Sequence, residues 1–313
     1  MVNLALAWAE AYTTRHPGVS IAVTGGGSGT GIAALTNGTV DVANASREMK
    51  SEEIAEARGK GVEPVQHVVA RDAIAVVIHP DNPVDELTIP QLAAIFTGEI
   101  INWQEVGGED RPIVLLSRES NSGTYAYFLE QVVRQGDKEN QALFSPDTLL
   151  MPSSEGISNE VRHNPNAIGY DGLGYVTPDQ KMLAVARGEG RPYVRPSVEA
   201  VNNAAYAIAR PLYMYTNGQP TGVIHDYLEW IMGPEGQHVV QDLGFIPLQQ
   251  GDGEDVSKMR SSLRCRQRDF AVDMGQRGLA TGPHLLSRAR MAGANLGPPQ
   301  YLEGRMLASG GDG

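Results

Sequence analysis

The chain has 313 residues, a formal net charge of −12, 41% hydrophobic and only 6% aromatic residues, and 36 glycines. That length suits two ordinary domains or one bilobal protein. The acidity argues against nucleic acid or an anionic membrane as partner, but not against a small buried anion governed by local dipoles. A lone cysteine, Cys265, excludes an internal disulfide, and no apolar run approaches the ~20 residues of a membrane helix.

Leu4, Trp8 and Tyr12 recur at helical spacing, so residues 2–15 read as a helix rather than a signal peptide, stopped by His16-Pro17-Gly18. Val19 to Thr24 alternates like a strand. Gly25 to Gly31 is a glycine-rich loop, and Ile32 opens the next helix. Val40 to Ala43 is a short strand running out at Ser46-Arg47-Glu48. Ser51 is placed to cap a helix with Glu52 and Glu53 in its first turn. Val65–Ala70 and Ala73–His79 are both strand-like, and Pro80 to Pro83 is a turn. Thr88 and Gln91 have the spacing of a capping box ahead of the helix Leu92–Phe96. Ile113–Leu116 predicts a strand, Ser117–Thr124 a loop, and Tyr125 to Arg134 a helix. Ala167 to Val176 is a glycine-punctuated strand region, Ala204 to Tyr215 is extended, and Ile224, Leu228 and Ile231 mark a late helix. Strands alternating with helices make the fold class α/β.

After about Leu248 the character changes. Residues 251–313 hold nine Lys/Arg and seven Asp/Glu, about +2, leaving about −14 for the rest. With scattered Gly and Pro and no convincing strand, 249–313 reads as a disordered or non-native extension. A short helix around Leu285–Met291 is its one periodic stretch.

Three strand-to-helix junctions are rich in Ser, Thr, Gly and Arg. In Gly25 to Gly31, glycines let an anion approach unpaired N–H groups, and the Ser28 and Thr30 hydroxyls can donate beside Gly29. The loop lacks the Lys of a P-loop and the frame of a dinucleotide fingerprint; by itself it reads equally as a plain turn. In Ser117 to Thr124, Arg118 offers a planar fork of donors, while Ser122, Gly123 and Thr124 face one point at a helix start. Ser122 serving only as a cap is the competing reading. Ser46 and Arg47 form the third junction, where a solvated Arg–Glu pair is the plainer alternative. Together the three suggest an anion beyond the carboxyl ends of strands. The seven histidines are dispersed without metal-ligand spacing, and Cys265 sits in the tail as a bystander.

The motifs TGGGSGTGIAAL, ANASREMK, SRESNSGTY, LTIPQLAAIFTGEIINW, NPNAIGYDGLGYV, ARPLYMYTNG and PEGQHVVQDLGFIPL, in that order over residues 2–248, resemble the phosphate-binding proteins of bacterial phosphate ABC transporters. The resemblance implies a two-lobed periplasmic-binding-protein type II fold. One lobe would be residues 1–74 with 208–248, the other 75–207, joined near Asp72–Val76 and Ala205–Arg210. It implies phosphate bound in the cleft by Ser28, Gly29, Thr30, Ser46, Arg47, Arg118, Ser122, Gly123 and Thr124. It further implies no catalysis, no cofactor and no metal, a monomer, permease subunits as partners, and a periplasmic or cell-surface lipoprotein location, although no export signal stands in this sequence. Another oxyanion (sulfate, molybdate, tungstate) is the nearest alternative ligand, and a phosphate-ester hydrolase the alternative of another class.

Two departures carry expectations. Where the family's best-known members place an aspartate that accepts the ligand's proton, this chain has Arg47; Glu48, Glu119 and Asp171 are the substitutes to consider. The family's opening strand and Gly-Ser-Thr loop do not stand ahead of residue 2, so the sequence reads as N-terminally truncated, with weakened or lost phosphate binding expected.

Overall fold

The computed structural model of the chain describes residues 1–249 and 303–307. In chain order, α1 (Val2–Arg15) leads to β1 (Ser20–Thr24), α2 (Ser28–Thr36), β2 (Val42–Ala45), α3 (Ser51–Gly59) and the long β3 (Pro64–Ile78). There follow β4 (Glu86–Thr88), α4 (Ile89–Thr97), β5 (Val114–Arg118), α5 (Gly123–Phe128), β6 (Leu149–Met151), α6 (Ser154–His163) and β7 (Ala167–Gly172). The short β8 (Lys181–Met182) and β9 (Ala184–Ala186), α7 (Val198–Asn202), β10 (Ala209–Asn217), α8 (Gly222–Met232), α9 (Pro234–Asp242) and β11 (Glu303–Leu307) complete the order.

Local chemistry accounts for most boundaries. Thr88 Oγ1 accepts the Gln91 N–H at 3.2 Å and Gln91 Oε1 accepts the Thr88 N–H at 2.9 Å, the expected reciprocal cap of α4. Gly98 ends that helix in the left-handed region at φ 83°. Four of the boundaries that differ from the sequence reading bear on the site and its supports. Helix α2 begins at Ser28, not Ile32, because the Gly31 N–H already bonds to Gly27 O at 3.1 Å. Ser51 lies inside α3, whose N-cap is Lys50; the Glu53 carboxylate closes that end on the Lys50 N–H at 2.8 Å. The two predicted strands across Val65–His79 are one continuous strand. Helix α5 starts two residues early, capped by Ser122 Oγ on the Thr124 N–H (3.2 Å), and loosens into a π-turn over Leu129–Val133.

Eight strands follow the order β1-β11-β2-β10-β3-β7-β5-β6, with β8 also on β3; β4 and β9 form a separate parallel pair. β11 lies parallel between β1 and β2, and β7, β5 and β6 are parallel to one another. Antiparallel β10 and β3 join the two groups. Pro64–Ala73 of β3 pairs with β10, whereas Ile74–Ile78 pairs with β7, so one strand passes from one half of the sheet to the other.

Within the segment read from sequence as an extension without a convincing strand, residues 303–307 form β11, paired on both sides. Five residues with a glycine and an arginine give no alternation to read; their partners are remote in sequence. The expected helix at Leu285–Met291 and the lone Cys265 lie outside the described residues.

The core divides where β3 crosses. Leu4, Trp8, Tyr12, Val69, Leu212, Met214 and Phe245 pack in one cluster with Ile32, Leu35 and Tyr213 in a neighbouring one. Ile74, Phe96, Trp103, Phe128, Tyr170 and Ile208 pack in another. Phe128 stacks on Tyr170 with centroids 3.7 Å apart and planes 3° from parallel, and Phe96 meets both rings edge-on. This stack lies behind α5. Replacing the fully buried Phe128 removes its centre, so Phe128→Ala should cost about 3–5 kcal/mol in urea unfolding; a loss below 1 kcal/mol would show that the stack is not structural.

Candidate functional site

All the predicted junctions sit at carboxyl ends of strands in the two parallel groups. From β1 the chain turns through Gly26 at φ 150°, a conformation that favours glycine, with the exposed Thr30 side chain lying against it. At Gly27 a side chain would run into the backbone of Asn121, and the Gly29 N–H bonds to Asn121 O at 3.2 Å. The first turn of α2 is thereby pinned to the loop ahead of α5.

Ser28 and Ser46 are buried and mutually bonded: the Ser46 N–H donates to Ser28 Oγ at 3.1 Å and the two hydroxyls are 3.4 Å apart. Gly123 faces both, and a β-carbon there would collide with both oxygens. The N-terminal ends of α2 and α5 thus converge on the Ser28–Ser46 pair. Each end carries N–H groups with no intrahelical acceptor, an environment suited to an oxyanion.

The arginines have distinct fates. Arg47 forks onto the Glu53 carboxylate with two bonds of 2.7 Å and also donates to Glu48 O. Burial pushes Glu53 up, but the Arg47 fork and the Lys50 N–H outweigh it and hold its pKa below the ordinary value. Arg47 is therefore a neutralised cation beside the site, not an open fork. Arg118 is buried; Nη1 donates to Ser154 Oγ and Nη2 to Pro152 O, both at 3.0 Å, and Nε has no protein partner.

Sequence reasoning missed a second buried cation. Arg210 on β10 donates through Nε and Nη2 to Asp72 Oδ2 at 3.3 and 3.0 Å and through Nη2 to Thr124 Oγ1 at 2.9 Å, with Nη1 unpartnered. Thr124 is brought to the site, but its hydroxyl is engaged there. Only a carboxylate and a guanidinium on facing crossing strands could have signalled this pair, and 138 residues separate them. Ser154, on α6, was also missed.

Of the three carboxylates considered, Glu48 and Glu119 are exposed and Asp171 is buried. Its Oδ1 accepts the Gly172 N–H at 2.9 Å and Oδ2 has no hydrogen-bond partner. Burial raises its pKa to about 7, against the opposing pull of Ser154, Arg118 and the Gly172 N–H. The Met1 amino group donates to Tyr175 Oη at 2.9 Å; burial brings its pKa to about 5, and the charges acting on it are Asp72, Arg210, Arg118 and Asp171. Beside this ground a cavity of about 350 Å³ is lined by Ser46, Arg47, Tyr127, Arg210 and Tyr213, among others.

A two-lobed α/β architecture with an oxyanion-suited centre at facing helix starts matches a described class. A family model described as PBP superfamily domain matches residues 2–235. Among curated relatives, the phosphate-binding protein PstS of Pseudomonas aeruginosa is 35% identical over 265 residues, covering 79% of this chain and 80% of that protein. PstS of Bacillus subtilis is 30% identical over 249 residues, covering 79% and 78%. A phosphate ABC transporter substrate-binding protein with bound phosphate from Clostridium perfringens superposes with a TM-score of 0.69 at 32% identity, covering 79% of this chain and 96% of that one. An ABC-type phosphate transport receptor from Vibrio cholerae gives 0.64 at 26%, covering 79% and 96%. The chain belongs to the PBP superfamily and, within it, to the family of the phosphate-binding proteins PstS.

Asp171 yields a pH prediction. Its folded pKa of about 7 exceeds the ordinary 3.8, so between pH 4 and 7 the folded chain binds more protons than the unfolded one. Stability from this group therefore falls as pH rises through that window, by up to about 4 kcal/mol, and levels off above it. Asp171→Asn should flatten the fall: in phosphate-free buffer the stability difference between pH 4.5 and 8 should shrink relative to wild type. An unchanged difference would mean Asp171 stays ionised in the folded chain.

Proposed function

We propose that the chain is an extracytoplasmic phosphate-binding protein that delivers inorganic phosphate to the permease of an ABC transporter and binds it without chemical change. The observation that carries this reading is the convergence of Ser28, Ser46 and Gly123, from both halves of the sheet, on one buried point. The ligand's oxygens would be met by the hydroxyls of Ser28, Ser46 and Ser122, by the first N–H groups of α2 and α5, and by Arg118 and Arg210 through the N–H groups that have no protein partner. These donors hold an anion in place. The phosphate binding and phosphate transport for which the relatives are named support the same ligand.

On this reading the lobes are residues 1–74 with 208–248 and 75–207. Binding closes the cleft between them about β3 and β10. Thr30 takes part through its N–H, not its exposed hydroxyl, and Arg47 through field rather than a direct bond. The unpartnered oxygen of Asp171 favours a guest that brings its own proton, as monohydrogen phosphate does and sulfate at neutral pH does not.

Calorimetry on the purified chain tests this. Because Ser28, Ser46 and Gly123 already converge, phosphate should bind with a Kd in the micromolar range, about −8 kcal/mol, rather than with the weakened or lost affinity expected from the sequence, and sulfate in hundredfold excess should not displace it. Ser28→Ala removes a donor to a charged guest, worth about 1.5–3 kcal/mol, so affinity should fall about 10- to 150-fold. Gly123→Ala, which drives a methyl into both hydroxyls, should remove measurable binding. No heat at millimolar phosphate, or displacement by sulfate, would overturn the assignment.

A further inference from the structure

β11 occupies a position on which the site depends. Its five residues run in register with β1 from Ser20↔Glu303 to Thr24↔Leu307, and on the other side Met306 and Leu307 pair with Val42 and Ala43 of β2. Among the described residues β1 has no other strand partner. Without β11, the N–H and C=O groups along one edge of β1 and the facing edge of β2 would lose their partners. β1 would be left with α1, against which Ile21 and Val23 are only half-buried.

The site inherits its dimensions from this insertion. β1 runs out into the glycine turn before Ser28, and β2 runs out at Ser46. With one strand between them, the two carboxyl ends stand two strand spacings apart, about 9.6 Å. The Ser46 N–H to Ser28 Oγ bond bridges that interval at the carboxyl side of β11. A parallel strand joined to the sheet only through remote partners is also separable from it in a way a hairpin strand is not.

We propose that the space between β1 and β2 is a strand-docking site, that its occupant is this chain's own Glu303–Leu307, and that oxyanion affinity depends on its being filled. This rests on the phosphate reading above for its ligand and on backbone pairing for its mechanism. Affinity and strand docking are then linked reciprocally: filling the slot tightens phosphate binding, and phosphate holds the strand in.

The test uses the full chain, wild type and Met306→Pro, since proline within a strand paired on both sides removes a ladder donor. Phosphate is titrated by calorimetry and amide exchange is followed in β1, β5, β7 and β11. In Met306→Pro, affinity should fall at least tenfold and the β1 amides should exchange faster, while β5 and β7 stay protected. A synthetic peptide of residues 299–313 added in trans should restore both. Unchanged phosphate affinity in Met306→Pro overturns the proposal. If the substitution also unprotects β5 and β7, the wild type decides: saturating phosphate must slow β11 exchange, and unchanged exchange overturns the proposal. Should the wild type bind no phosphate at all, the phosphate reading fails instead, and the docking claim stands or falls on β1 exchange alone.

Discussion

A buried ion pair at the crossing of two strands organises the molecule. Asp72 on β3 and Arg210 on β10 are almost wholly inaccessible, at 1% and 5% exposure. Burying two charges costs several kcal/mol per ion, and the attraction between them repays this only with good geometry and further hydrogen bonds. Here Asp72 Oδ1 also accepts the Leu173 N–H at 3.2 Å, and Arg210 reaches Thr124 Oγ1. Gly172 allows the approach, since a β-carbon there would stand 2.8 Å from Asp72 Oδ2. One pair therefore ties together β3, β10, the end of β7 and the first turn of α5. Those are the elements that pass between the halves of the sheet or present Gly123 to Ser28.

The pair also shapes the electrostatics of the site. Three arginines surround it, yet little of their hydrogen-bonding capacity is free. Arg47 is spent on Glu53, Arg118 on Ser154 and Pro152, and Arg210 on Asp72 and Thr124. The two buried N–H positions without partners, on Arg118 and Arg210, are held by these contacts in fixed orientation. Fixed donors lose little freedom when a guest arrives, which is how a small contact set sustains useful affinity.

How much of this was legible followed from the range of the interactions. Ser28, Ser46, Ser122 and Gly123 stood at strand-to-helix junctions, so local pattern reached them, and the structure brings the three junction segments together. The start of α2 was misplaced because the five glycines around Ser28 read as loop, whereas the Gly31 N–H is taken up by Gly27 O and the Gly29 N–H by Asn121 O. The partner of Arg47 was not legible because Glu53, six residues on, was assigned only to the first turn of α3. Asp72 and Arg210 were marked as joints and not as a charged pair, since neither strand announces its partner. β11 was unreadable for the same reason: its pairing is entirely with residues near the other end of the chain.

A negative chain proposed to hold an anion needs an account of why repulsion does not prevail. The −12 is a sum over a surface in salt solution, where the field of an exposed charge is damped within about 8 Å. At the Ser28–Ser46 centre the nearest groups are buried hydroxyls, helix-start amides and guanidinium edges, in surroundings of low polarisability where dipoles act at greater strength than in water. The local terms therefore outweigh the global one. Two of the three arginines, Arg47 and Arg210, are matched by carboxylates, which limits the net positive charge at the centre to that of Arg118. A strongly cationic pocket would favour the more highly charged of two oxyanions. On the proposed reading, the unpartnered oxygen of Asp171 instead penalises a guest without a proton to give, so that charge alone does not decide what binds.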